Sequence, residues 1–192
     1  MIGIRDFIQP INEALRSAFD EVAEFKKYKV FELAINAQKN DTDQIFPVAF
    51  DKKGKGKYLG ADDIDSIITY HKVNNFTVGR ESKLGYGDSK GKIKNIYTMR
   101  LVVFLKRNVT KVEPDELALY IQTKLPEAAS SSNGIRLEYY ISEVILNNKL
   151  VFNMEYRNVP YFVKPEHALM AINYTIESTF DRKCFNRIYN EI

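Results

Sequence analysis

Near the N-terminus, apolar residues recur at three- and four-residue steps. Ile4, Phe7, Ile8, Ile11, Leu15 and Phe19 fall on one stripe, which predicts an amphipathic helix over residues 2–22. Pro10 interrupts it, so either a kink or a regular helix starting there with Pro10 in its first turn is expected. The spacing then shortens. Tyr28, Val30, Phe31, Leu33 and Ile35 predict a strand over 28–36, with a helical continuation as the rival. A second strand is predicted over 44–50, where Pro47 lacks a ladder donor and asks for an edge position or an irregular start. Over 95–107, Tyr97, Met99, Leu101, Val103 and Leu105 share one face and Thr98 and Arg100 the other. A helix follows over 113–125, opened by Pro114, Asp115 and Glu116 and striped by Leu117, Tyr120, Ile121 and Leu125. Pro126 and the small polar run to Gly134 end it. Two further strands are expected. One spans 135–146; the other carries Leu150, Phe152, Met154 and Tyr156 on one face, with Asn147-Asn148-Lys149 as the hairpin turn because Asn tolerates positive φ. The clearest alternation is last: Met170, Ile172, Tyr174, Ile176 and Phe180 against Asn173, Thr175, Glu177 and Thr179.

Two stretches break the pattern. Residues 51–60 carry Lys52, Lys53, Lys55 and Lys57 spaced by Gly54 and Gly56, and read as a loop or hairpin tip. Residues 80–94 hold three glycines with Arg80, Lys83, Lys90, Lys92 and Lys94, and read as a second exposed loop. Between them, 61–79 is undecided: Asp62, Asp63 and Asp65 suit a helix start, and 67–73 suits a strand. The fold class that follows is α+β, a mostly antiparallel sheet flanked by two main helices with basic hairpin insertions. The chain reads as one domain over 1–192, with 51–94 as the insertion and 181–192 as a C-terminal extension.

Composition narrows the function. A chain of 192 residues is long enough to bury a core, and its 28% charged content suits a folded domain. One cysteine excludes a disulfide framework and any multi-cysteine metal site. The net charge of +3 is too small to prove a nucleic-acid binder. No leader pattern opens the chain and no apolar window of 18 residues exists, so an intracellular location without membrane contact is expected. The three Asn-X-Thr matches, at Asn75, Asn108 and Asn173, then read as chance.

Candidate chemistry is sparse. His71, His167 and Cys184 stand far apart, too few for a zinc site and thin as a Cys–His or Ser–His pair. Gly54-Lys55-Gly56-Lys57 lacks the earlier glycine and the Ser or Thr of a phosphate loop. In the run from Gly85 to Gly91 the third glycine falls one place late and a strand follows where a helix should. Asp41/Asp43 and Asp62/Asp63/Asp65 lack the turn glycine and distal glutamate of a calcium loop. No catalytic residue, cofactor or metal is therefore expected, and no enzyme. What remains is the basic loops. Hung from one end of a sheet, they would bring up to nine cations together, with Tyr58 and Tyr86 to stack on bases or partner residues. Solvated hairpin tips, an acidic protein surface and DNA phosphates are the three readings.

The order of elements carries one resemblance. An N-terminal amphipathic helix leads to a strand with Ile45-Phe46-Pro47-Val48. A strand ending Leu101-Val102-Val103-Phe104-Leu105 runs into a helix opened by Pro114-Asp115-Glu116, and Ile172-Asn173-Tyr174-Thr175-Ile176 closes the series. This order resembles the tail-terminator family of long-tailed bacteriophages and, more loosely, the neck or head–tail connector proteins of the same fold. The likeness covers most of the chain as element order and departs from the family over 51–94 and after 181. It implies a structural virion protein, assembled in the host cytoplasm, that forms a homo-oligomeric ring at the tail end or head–tail junction. Its implied partners are copies of itself, neighbouring tail-tube or connector proteins, and DNA passing through the bore. The alternative is a small nucleic-acid-binding or adaptor protein using the basic loops.

Overall fold

The computed structural model describes residues 3–25, 27–38, 45–59, 67–80, 92–130, 135–151 and 166–181. The first helix, α1, spans Ile4–Asp20 and begins ahead of Pro10, so that proline sits inside it. The Gly3 amide donates to Asp6 Oδ2 at 2.7 Å, and the Asp6 amide donates to the Gly3 carbonyl at 3.0 Å. This reciprocal pair satisfies two donors that a helix start leaves open. A short 3₁₀ turn, Ala23–Phe25, follows.

Eight strands form the sheet. They are β1 (Tyr28–Gln38), β2 (Ile45–Phe50), β3 (Gly56–Tyr58), β4 (Ile67–Arg80), β5 (Lys92–Lys106), β6 (Ala128–Ser130), β7 (Arg136–Ile145) and β8 (His167–Asp181). Their order is β3-β2-β1-β4-β5-β8-β7-β6, and only the β1–β4 pairing is parallel. The fold is α+β, as expected. Three short or medium helices complete it: α2 (Arg107–Thr110), α3 (Pro114–Lys124) and α4 (Asn148–Val151). No helix among the described residues is long and apolar enough to cross a membrane.

The two main helices cover the same face. Phe7, Ile8, Ile11, Leu15 and Phe19 of α1 and Leu117, Ala118 and Ile121 of α3 pack on Met99, Leu101, Val103 and Leu105 of β5 and on alternate residues of β8. Removing a large side chain here costs about 2–5 kcal/mol. A second core lies on the opposite face at one end, where Ile68, Tyr70, Val102, Phe104, Leu169 and Ala171 meet Leu59 and Val151. The centre of β5 and β8 is therefore apolar on both sides. Alternation alone could not foretell this, since it marks only one buried face.

Four local expectations change. Arg80, Lys92 and Lys94 are strand residues: β4 runs through Arg80, and β5 begins at Lys92, opposite Asp181. The turn expected at 147–149 is instead a helical turn, with the Leu150 and Val151 amides both donating to the Asn147 carbonyl. Residues 128–130, read as loop, form β6. β2 is second from the edge, yet the three-residue β3 pairs only with Val48 to Phe50, so Pro47 lies beyond that ladder. The Pro47 carbonyl accepts from the Leu59 amide at 2.9 Å just past β3, where no ladder donor is required of it.

β5 and β8 pair without a break, whereas the β1–β4 pairing shifts between Val30 and Leu33 and two antiparallel pairings carry an irregularity each. The pairing of β4 with β5 shifts between Val73 and Asn75, and that of β7 with β8 between Ile141 and Glu143. Each leaves one extra residue, Asn74 and Ser142.

Candidate functional site

Lys52, Lys53, Lys55 and Lys57 are exposed on the hairpin between β2 and β3. Asp51 builds its tip: Oδ1 accepts from the Lys53 and Lys55 amides at 2.9 Å each, and its carbonyl accepts from the Gly54 amide at 2.9 Å. Gly54 takes φ +75, a conformation that costs a residue with a Cβ. The Arg5 guanidinium lies 3.4 Å from where that Cβ would sit, so Arg5 joins this basic tip. Arg5 also faces Glu32 at 3.6 Å. Sequence reasoning passed over Arg5 because it lies on the polar side of α1, far from the loop in the chain.

The described parts of the two basic segments meet the sheet at opposite ends. β2 runs antiparallel to β1, and β1 is parallel to β4. The β2–β3 tip therefore leaves the sheet where β1 and β4 begin, and the β4–β5 connection leaves where β4 ends. Lys94 pairs with Glu177 on the neighbouring β8 at 2.6 Å, so its charge is matched within the sheet. Lys83, Lys90 and Tyr86 lie outside the described residues, as do Asp41/Asp43, Asp62/Asp63/Asp65, Cys184 and the run from Gly85 to Gly91. Gly54-Lys55-Gly56-Lys57 leads into β3, with no helix N-terminus to receive a phosphate.

Neither histidine is placed as a ligand. His71 is buried between α1 and the sheet, its Nε2 2.8 Å from Asn12 Oδ1 and its Nδ1 2.6 Å from the Tyr174 hydroxyl. With Asn12 accepting, Nε2 carries the proton and Nδ1 accepts from Tyr174, a neutral ring held at both nitrogens. Burial, helped by the nearby Arg16 charge, pushes its pKa down to about 3. His167 is buried at the start of β8, while His71 aligns through Leu101 with Ile172, well along the strand. No cluster of three metal-ligating side chains occurs among the described residues.

A second buried polar network lies on the opposite face. Arg100 Nε donates to Asn173 Oδ1 at 2.8 Å and Nη1 donates to the Val151 carbonyl at 2.6 Å. Asn173 Nδ2 in turn donates to Glu143 Oε2 at 2.7 Å. The guanidinium thus holds the end of α4 onto the sheet.

The lateral edges are the remaining feature. Among the described residues, β1 pairs with β4 only as far as His71, and β6 pairs with β7 only as far as Glu138. Past those points both strands have an open outer side. These open stretches overlap on four rows of the sheet, from Lys72 to Phe76 on β4 and from Glu143 to Tyr139 on β7. Lys72, Arg100, Asn173 and Glu143 make one row; Val73, Met99, Tyr174 and Ile141 the next; Phe76, Tyr97, Ile176 and Tyr139 another. Phe76 stacks on Tyr97 at 4.5 Å between ring centroids yet stays 47% exposed. Tyr97 meets Phe7 of α1 edge-on, which places Phe76 on the helix-covered face. At the other edge, a cleft of about 660 Å³ opens between the end of α3 and β7, lined by Leu125, Pro126, Tyr139 and Ile141 among others. Tyr140, at its mouth, is 49% exposed and donates to Glu138 at 2.6 Å. An open strand flanked by exposed apolar side chains is a template for another strand. The chain matches no known protein-family model, and no curated protein sequence matches it.

Proposed function

We propose that the chain is a structural virion protein of the tail-terminator or head–tail connector type, closing into a homo-oligomeric ring at a phage tail end or head–tail junction. One observation carries the reading: among the described residues, the sheet is open along part of β4 on one side and part of β7 on the other, with exposed apolar residues on both. Two different edges on one subunit favour head-to-tail contacts, which close by rotation into a ring. Natural strands guard solvent-facing edges with charge or proline, whereas the open β4 run Val73-Asn74-Asn75-Phe76-Thr77 carries neither. In this reading the protein makes and breaks no bond. It is assembled in the host cytoplasm, stacks on tail-tube or connector proteins, and surrounds the path of the DNA. The divergence of the basic segments weighs against the nucleic-acid-binding alternative, which drew on their convergence.

The test is assembly. Light scattering and negative-stain imaging of the purified protein are expected to find closed rings of about six or twelve subunits. A strict monomer across a wide concentration range overturns the proposal.

A further inference from the structure

We infer that residues 182–192, which lie outside the described residues, fold back on their own subunit as an amphipathic helix and lay its apolar side in the cleft between the end of α3 and β7. The inference does not draw on the ring reading, and its test reads the same in free subunits and in rings.

The cleft is an apolar surface with nothing described over it. Leu125, Pro126, Tyr139 and Ile141 line it. Gln122 and Thr123 line it from α3, and Leu119 stands three and four residues before them, hence on the same side of that helix. Leu119, Tyr140 and Ile141 are all exposed. Apolar side chains gathered about one concavity mark a contact, whereas scattered single ones need no explanation.

Attachment selects the occupant. Thr179 of β8 pairs with Arg136, which lines one end of the cleft. The chain therefore leaves β8 at Asp181 one strand away from it. The other segments outside the described residues are joined elsewhere. Residues 39–44, 60–66 and 81–91 link strands on the far side of β8. Residues 152–165 return at Glu166, whose carbonyl accepts from the Arg107 amide at the opposite end of β5 and β8. Residues 131–134 only bridge β6 and β7.

Pattern, length and charge agree with that place. Phe185, Ile188, Tyr189 and Ile192 stand at steps of three, one and three, the spacing that brings apolar residues to one side of a helix. Asn186, Arg187, Asn190 and Glu191 fall on the other side. A helix of these eleven residues is about 16 Å long, and the cleft follows β7 from Arg136 to Ile141, about 17 Å. So short a helix is marginal alone in water and needs an apolar surface to hold it. The segment carries Arg182, Lys183 and Arg187 against the single acid Glu191, while the lining carries Glu127 and Glu138 against the single base Arg136. Opposite local charge favours the contact and fixes its register. The cleft ends at Ile141, so β7 from Ser142 to Ile145 keeps its open outer side.

The test maps the contact in the full chain. Tyr189→p-benzoylphenylalanine puts a photoreactive ring on the apolar side of the segment, and digestion with mass spectrometry locates its attachment after illumination. Attachment within 119–128 or 139–141 of the same chain is expected. Phe185→Asp combined with Ile188→Asp is expected to cut that yield about tenfold or more. The same pair, without the photoreactive ring, is expected to speed hydrogen exchange over 119–125 while leaving the centres of β5 and β8 unchanged. In an equal mixture of light and ¹⁵N-labelled chains, attachment is expected only between like isotopes. Attachment spread over other surfaces, or a yield that the paired substitutions leave unchanged, overturns the inference. Light-to-heavy attachment overturns it too, because the cleft then holds a neighbour's segment. Ring formation is measured separately, so failure here leaves the ring reading standing, and a strictly monomeric protein leaves this contact standing.

Discussion

His71 is neutral because its surroundings keep it so. Its ring pKa is pushed from the ordinary 6.5 down to about 3, so the unfolded chain takes up this proton before the folded one does. The stability tied to the neutral ring is complete above pH 6.5 and is lost as the pH falls from there toward 3, at about 1.4 kcal/mol per pH unit for one proton. An NMR titration of the ring is expected to find no protonation above about pH 4. Denaturation curves of His71→Gln are expected to lose that part of the acid slope. Tyr174→Phe strips the donor from Nδ1 and should cost about 1–3 kcal/mol in urea unfolding. Two backbone positions add opposite effects. Gly54→Ala forces a Cβ into φ +75 beside Arg5 and should destabilise by about 1 kcal/mol. Lys111, the residue after α2, already holds a Cβ at φ 52, so Lys111→Gly should stabilise by about 0.5–1 kcal/mol. Both are read as shifts of the thermal midpoint.

Among the elements, α4 is the one that depends most on a single side chain. With four residues it lacks the length to persist alone, and Arg100 closes it from the sheet by donating to the Val151 carbonyl at its end. Arg100→Met removes that bridge and leaves Asn173 and the Val151 carbonyl without their donor. Hydrogen exchange over 148–151 should rise well before the global unfolding signal changes, with a stability loss of about 2 kcal/mol. This element also marks a limit of sequence reading. Asn147 and Asn148 suggested a turn through their tolerance of positive φ, yet among the described residues the sole non-glycine with positive φ is Lys111. The bond from Arg100, fifty residues earlier in the chain, selects the helical turn instead. By contrast α1, α3, β5 and β8 were legible because each buries a stripe or a face whose period its sequence repeats. The three-residue β6 has too few residues to display a period.

At the level of the whole molecule, the fold class could be read from the chain and the candidate site could not. The basic segments were conspicuous as composition, but strand direction joins their described residues to opposite ends of the sheet, and Lys94 spends its charge on Glu177. Among the described residues, the open stretches of β4 and β7 are set by where their neighbours stop, β1 at His71 and β6 at Glu138. Those limits appear only once the strand order is known, and no short motif encodes them.

The extra residue at Asn74 has a further consequence. Before it, odd-numbered positions of β4 face the helices: Ile67, His71 and Val73 align with odd-numbered positions of β5. After it the parity reverses, and the even-numbered Phe76 aligns with Tyr97. Asn74 therefore acts as a switch of handed count, turning every later side chain of the strand to the other side. Paired regularly with Thr98 instead, Asn74 would hand Asn75 the place over Tyr97. Phe76 would then fall opposite Ile96 and point away from the helices, whereas a chain lacking Asn74 would close the ladder and keep Phe76 where it is.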